Sequence, residues 1–213
     1  MLKKILFPLV LLCALLAAAT VSAAKQTPME RVKEGADKLI KVLSDPALQD
    51  EAKHDEAIST LRKTAEEYID FRLVTMYSVG KPWLKMSEQM QSDLTEAFVQ
   101  LLERTYLKRI PAYGGQEVKY DKELVAGKKA KVFTEIIDKD KKIVVEFRLR
   151  DTGEQWMIYD VVAEGVSLVA NYRSQFSEIL DTGSPEDLLN LIRERIQKLD
   201  RGEVDASEDK VQG

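Results

Sequence analysis

Apolar residues recur along this chain with two different periods, and the places where the period changes mark out its parts. Thr27-Pro28-Met29-Glu30 opens the first helix: Thr27 caps it, Pro28 suits its first position and Glu30 completes a capping box. Val32, Leu39, Ile40, Val42 and Leu43 continue its apolar stripe until Ser44, Asp45 and Pro46 end it. A second helix is predicted from about Asp55 to Ile69, with Ile58, Leu61, Ala65, Tyr68 and Ile69 inward at spacings of three and four. Phe71 to Val79 is more apolar all round and stops at Gly80. Ser87 caps a long helix from about Glu88 to Lys108, whose stripe is Leu94, Phe98, Leu101, Leu102 and Thr105, with Tyr106 beside it.

Pro111, Gly114 and Gly115 break the helical period, and strict alternation replaces it. Val118 and Tyr120 start it, followed by Val132, Thr134 and Ile136, then Ile143, Val145, Phe147 and Leu149, then Trp156, Ile158 and Val162. Turns at Ala126-Gly127, Asp138 to Lys141 and Thr152-Gly153 separate these runs, which predicts a four-stranded antiparallel meander. After Gly165 helical spacing returns in Val166, Val169, Tyr172 and Phe176. A last helix starts at Ser184-Pro185-Glu186-Asp187 and turns Leu188, Leu189, Ile192, Ile196 and Leu199 inward. Asp200 to Gly213 is polar and charged and reads as a frayed tail. The fold class is therefore α+β, five to six helices packed on a four-stranded antiparallel sheet. No internal repeat or low-complexity linker interrupts it.

The first residues belong to a different class. Lys3 and Lys4 precede an apolar run from Ile5 to Ala19, and Val21, Ser22 and Ala23 supply the small residues a signal peptidase requires. Residues 1–23 are expected to be a signal peptide cut after Ala23, leaving a domain over 24–199 and a tail over 200–213. Cys13 lies inside this segment, and Leu12 before it does not fit a lipoprotein signal, so the mature chain is expected to lack cysteine and with it disulfides and thiol chemistry. Losing Lys3 and Lys4 leaves 30 Lys+Arg against 36 Asp+Glu, a side-chain sum of −6. That acidic balance argues against a nucleic-acid partner and against tight adsorption to an anionic membrane.

Chemistry-bearing constellations are scarce. His54, the single histidine, stands among Lys53, Asp55 and Glu56 and reads as a solvated helix-start residue. No glycine-rich phosphate loop, nucleophile elbow or metal-spaced carboxylate set is found, so neither a cofactor nor a metal is expected. Asp160 falls on the alternation of Trp156, Ile158 and Val162. A lone acid in an apolar cavity can act as a base, but most inward carboxylates accept hydrogen bonds from backbone or a neighbouring arginine. Arg148 reads as an outer-face strand charge. What stands out is apolar bulk: Val145, Phe147, Leu149, Trp156 and Ile158 on the sheet, opposite Val74, Met76, Phe98, Leu102, Tyr106, Tyr172 and Phe176 on the helices. Read from pattern alone, these are the filling of a large core.

The run Gln155-Trp156-Met157-Ile158-Tyr159-Asp160-Val161-Val162-Ala163-Glu164-Gly165-Val166-Ser167-Leu168-Val169, with Asn171-Tyr172-Arg173-Ser174-Gln175-Phe176 after it, resembles the signature of the MlaC family, the periplasmic component of a bacterial phospholipid transport system. The Gly80-Lys81-Pro82-Trp83 turn, Tyr106 and Tyr113, and the strand from Ile143 to Leu149 add to the resemblance, which spans about Met29 to Leu199. It implies a curved sheet and a helical half enclosing a deep cavity, with acyl chains inside and the head group at the mouth. It further implies a periplasmic, non-enzymatic carrier with two membrane-bound partners: an outer-membrane lipoprotein with its porin, and an inner-membrane transporter with an ATPase. The apolar inward positions are the lipid-contact candidates under this resemblance: Val74, Met76, Phe98, Leu102, Tyr106, Val145, Phe147, Leu149, Trp156 and Ile158, with Val166, Val169, Tyr172 and Phe176 after the sheet. Two acyl chains call for a pocket near or beyond the upper end of the usual ~300 to 1,000 Å³. No long heptad seam is present, and a monomer suits a shuttle. Two rivals remain at this stage, an isomerase- or dehydratase-like enzyme with Asp160 as base, and an envelope adaptor with an ordinary packed core.

Overall fold

The computed structural model describes residues 25–45, 54–106 and 115–203. The signal segment with Cys13, the break at Pro111 to Gly114 with Tyr113, and the tail from residue 204 lie outside them. The described elements run α1 (Pro28–Leu43), α2 (His54–Tyr68), α3 (Phe71–Val79), a 3-10 turn (Lys81–Lys85), α4 (Glu88–Tyr106), β1 (Glu117–Ala126), β2 (Lys129–Asp138), β3 (Lys141–Asp151), β4 (Trp156–Ala163), β5 (Val166–Ser167), α5 (Leu168–Leu180) and α6 (Pro185–Asp200). The class is α+β as the periodicity predicts. The strands lie in the order β1-β2-β3-β4-β5, every neighbouring pair antiparallel. The fifth is a two-residue strand at Val166–Ser167, where the pattern suggests helix already begun.

Local chemistry sets the helix ends. Thr27 and Glu30 close a capping box on α1, and Ser184 with Asp187 does the same for α6. Gly80 ends α3 at φ 76°, a conformation glycine adopts without steric cost, and an added Cβ there would meet the Arg173 guanidinium at 2.5 Å. Gly35 lets α1 approach α2, because a Cβ at that position would stand 2.8 Å from the Tyr68 ring.

Two apolar clusters hold the layers together. One joins α3, α4, α5 and α6 around Phe98, Leu94, Tyr172, Phe176, Leu188 and Ile192, with Phe98 edge-on to Tyr172 and Phe176 at 4.7 and 5.1 Å between ring centroids. The other joins α1, the end of α2 and the sheet around Val32, Tyr68, Val132, Leu149, Trp156 and Ile158. Arg31 staples this second cluster. Its guanidinium lies 4.1 Å over the Tyr68 ring, its Nε donates to the Trp156 carbonyl at 3.2 Å, and a second nitrogen donates to the Glu67 carbonyl. The α2–α3 junction is tied to β4 where the Asp70 amide donates to the Ile158 carbonyl at 2.9 Å.

The register explains which strand residues share a face. Leu149 pairs with Ile158, but Arg148 pairs with Asp160, so Tyr159 is an extra residue in β4. Before this bulge Trp156 and Ile158 lie on the side of Val145, Phe147 and Leu149; after it Val161 and Ala163 take that side, while Asp160 and Val162 turn to the opposite face with Arg148. The expected common face for Asp160, Trp156 and Ile158 is thereby corrected.

Candidate functional site

Between the two clusters lies a cavity of about 460 Å³. Its walls are Leu39 and Leu43 of α1, Leu61, Arg62 and Ala65 of α2, Ile69, Phe71 and Val74 around the α2–α3 junction, and Val99, Leu102, Glu103 and Tyr106 of α4. Ile158, Asp160, Val161 and Ala163 of β4, then Val166, Leu168 and Asn171, complete it. Tyr106 and Val166, 38 % and 37 % exposed, form its rim, while Val74 and Val99 are buried at depth.

Local structure fixes each wall. The α4 residues follow helical spacing, so Val99, Leu102, Glu103 and Tyr106 form one stripe from interior to rim. The β4 bulge delivers Val161 and Ala163, residues out of step with the alternation of Trp156 and Ile158, to the cavity side. Asp160 fixes the edge where α5 begins: it is 3 % exposed and accepts from the Ser167 hydroxyl at 2.7 Å, the Val169 amide at 3.0 Å and Arg148 Nη1 at 3.0 Å. Ser167 in turn caps α5 through the Ala170 amide at 3.0 Å. A carboxylate with three donors at these distances, filling three of its roughly four acceptor positions, is a structural acceptor.

The charged groups in the wall lie at one place. Arg62 donates to Glu66 at 2.9 Å and, with two nitrogens, to Glu96 at 3.1 and 2.7 Å, tying α2 to α4. Glu103 stands 3.5 Å from Arg62 Nε, too far for a hydrogen bond, and its buried Oε1 has no hydrogen-bond partner. Burial pushes the Glu103 carboxyl above its usual range, against the opposing pull of Arg62 and Arg104. Among the described residues no three of His, Cys, Asp or Glu gather as a metal site, and no helix is long and apolar enough to cross a membrane.

Of the candidate lipid contacts, the structure brings Val74, Leu102, Tyr106, Ile158 and Val166 together around the cavity. Phe98, Tyr172 and Phe176 sit in the helical cluster with Met76 and Val169 against it, and Leu149 and Trp156 sit in the sheet cluster with Phe147 against it. Val145 is buried on β3, where it pairs with the wall residue Ala163. The α1 and α2 walls, Leu39, Leu43, Leu61 and Ala65, carry an apolar-stripe signal that marks them as inward without marking them as wall. Glu103 and Arg62 carry no such signal in the sequence.

Fold and site together define an α+β domain whose helices and sheet leave a ligand-sized apolar cavity between them. The chain belongs to the MlaC family: the family model described as MlaC protein matches residues 33–194. Among solved structures it is similar to a phospholipid-binding protein from Ralstonia solanacearum, determined in complex with a phospholipid. The TM-score is 0.74 at 21 % identity, with 82 % of this chain and 99 % of the other covered.

Proposed function

We propose that this chain is a periplasmic carrier that moves phospholipid between the inner and outer membranes, with acyl chains in the cavity and the head group at the rim. The observation that carries the reading is the cavity itself, whose wall is hydrocarbon except at Arg62, Glu103, Tyr106, Asp160 and Asn171. Family membership and the likeness to a phospholipid-bound structure support it, as does the secretory pattern of residues 1–23. A carrier is needed because two acyl chains hold on the order of 30 methylenes at ~0.8 kcal/mol each, so roughly 20 kcal/mol opposes a free lipid crossing water.

At about 460 Å³ the cavity is smaller than the space expected for two whole chains. Loading therefore has to part the walls or leave the chain ends beyond the rim. The chain has no phosphate loop to drive that change, so its energy comes from membrane-bound partners, an inner-membrane transporter with an ATPase and an outer-membrane lipoprotein with its porin. Against the enzyme reading stands the engagement of its candidate base, Asp160, by three donors.

Native mass spectrometry of the purified mature protein, followed by lipid extraction, tests the proposal. Phospholipid bound at defined stoichiometry is the expected result, and a ligand-free protein that takes up no lipid from vesicles would sink it.

A further inference from the structure

Size and one unpaired oxygen restrict what the cavity holds. A cavity of ~150 Å³ lined by apolar side chains takes up the six carbons of benzene, so about 460 Å³ corresponds to roughly 18 carbons, the length of one acyl chain. The oxygen is Glu103 Oε1, which is buried in the wall and has no hydrogen-bond partner among the described residues. Arg62 stands 3.5 Å from it and is committed to Glu66 and Glu96 by three shorter bonds. A carboxylate oxygen beside a guanidinium is an acceptor. Left buried and unpaired it costs stability, so its retention in a hydrocarbon wall calls for a ligand that brings a donor.

Depth decides which part of the ligand carries that donor. Glu103 precedes Tyr106 by three residues on α4, about 5 Å down the helix from the rim, and Leu102 and Val99 continue the wall inward. With a head group at Tyr106 and a chain against Val99, the group level with Glu103 is the glycerol. In a diacyl glycerophospholipid every glycerol oxygen is esterified and offers acceptors only. In a monoacyl one, a free hydroxyl stands in place of the missing chain. A free fatty acid fits the volume but would set a second carboxylate against Glu103. We propose that the cavity, as it stands, is a lysophospholipid site: the single chain fills the apolar space and the free glycerol hydroxyl donates to Glu103 Oε1. This rests on the carrier reading and adds a second lipid class to it, one that the cavity holds without parting its walls.

The test is a competition on the delipidated mature protein between palmitoyl lysophosphatidylcholine and its deoxy analogue, which keeps head group and chain but lacks the glycerol hydroxyl. Both are used below their micelle thresholds, and bound lipid is counted by native mass spectrometry. Vesicles of dipalmitoyl phosphatidylcholine are offered to a parallel sample. One hydrogen bond to a carboxylate corresponds to a preference of roughly 10-fold for the hydroxyl lipid in the wild type. Glu103→Gln, whose amide oxygen also accepts, keeps a preference. Glu103→Leu, shown to be folded by its urea transition, binds the two lipids equally. Equal binding by the wild type, or a preference that survives in folded Glu103→Leu, overturns the hydroxyl contact. A protein that takes up dipalmitoyl phosphatidylcholine but no lysophospholipid overturns the inference and leaves the carrier reading standing. Uptake of none of the three lipids overturns both.

Discussion

Arg148 and Asp160 face each other across β3 and β4, with Nη1 of the guanidinium 3.0 Å from the carboxylate at the edge of the cavity wall. The same carboxylate holds Ser167 and the Val169 amide, so one buried acid joins the sheet to the start of α5. Asp160→Ala leaves a half-buried guanidinium, a hydroxyl and a helix-start amide without their acceptor. The expected cost is about 3 kcal/mol, read as a lower urea midpoint at unchanged slope. Because Leu168 and Asn171 line the cavity from this anchored turn, lipid retention measured well below the unfolding midpoint should fall too.

Cavity wall and packed core respond differently to added bulk. Ala65 lines the cavity and Leu149 is fully buried in the sheet cluster. Ala65→Phe should displace lipid while changing stability little. Leu149→Trp should cost about 1 to 3 kcal/mol by overpacking. Denaturation and bound-lipid content measured on both variants check the pair, and an Ala65→Phe protein that retains full lipid would place the chains elsewhere.

How much of this was readable beforehand depends on what periodicity encodes. The capping residues Thr27, Glu30 and Ser184 announce α1 and α6 because the same side-chain atoms that mark the pattern make the bonds. Strand alternation likewise places Phe147, Leu149 and Ile158 on one face, as the register has them. Alternation cannot reveal an inserted residue, so Tyr159 and the resulting swap of Asp160 for Val161 were hidden. Nor does an inward stripe say what it meets. Leu39 and Phe98 carry the same signal, yet one borders the cavity and the other fills a cluster, and the difference is set by how α1 and α4 are placed by the rest of the chain.

Two carboxylates should shift stability with pH in opposite senses. Hydrogen bonds from Gln26 and Tyr68, with Lys38 alongside, hold Glu34 at about 2, below its ordinary 4.5. Its contribution is therefore complete above pH 4.5 and lost as the pH falls toward 2. Glu34→Gln should flatten the decline of the urea midpoint between pH 5 and 3.

For Glu103 burial raises the pKa, so the folded state holds its proton more tightly and stability declines as the pH rises above the ordinary 4.5. Glu103→Gln should be more stable than wild type at pH 7, with the gain vanishing near pH 4. A gain of the same size at both pH values would show that charge burial is not its source.

The aromatic cluster of Phe98, Tyr172 and Phe176 tests where lipid stops and core begins. Phe98 is wholly buried and meets both neighbours edge-on, whereas Leu102, one turn further along α4, is half-buried at the cavity. Phe98→Ala removes a ring from a packed interior and should cost about 3 to 5 kcal/mol. The milder Phe98→Leu should keep the fold with its lipid content unchanged. Leu102→Ala enlarges the cavity instead of opening a void in the core, so its stability cost should fall at or below the low end of the usual 2 to 5 kcal/mol. Its effect should appear in lipid exchange with vesicles, where fewer wall contacts speed release. A Phe98→Leu protein that folds normally but loses its lipid would move the acyl chains into the aromatic cluster and redraw the site around Tyr172 and Phe176.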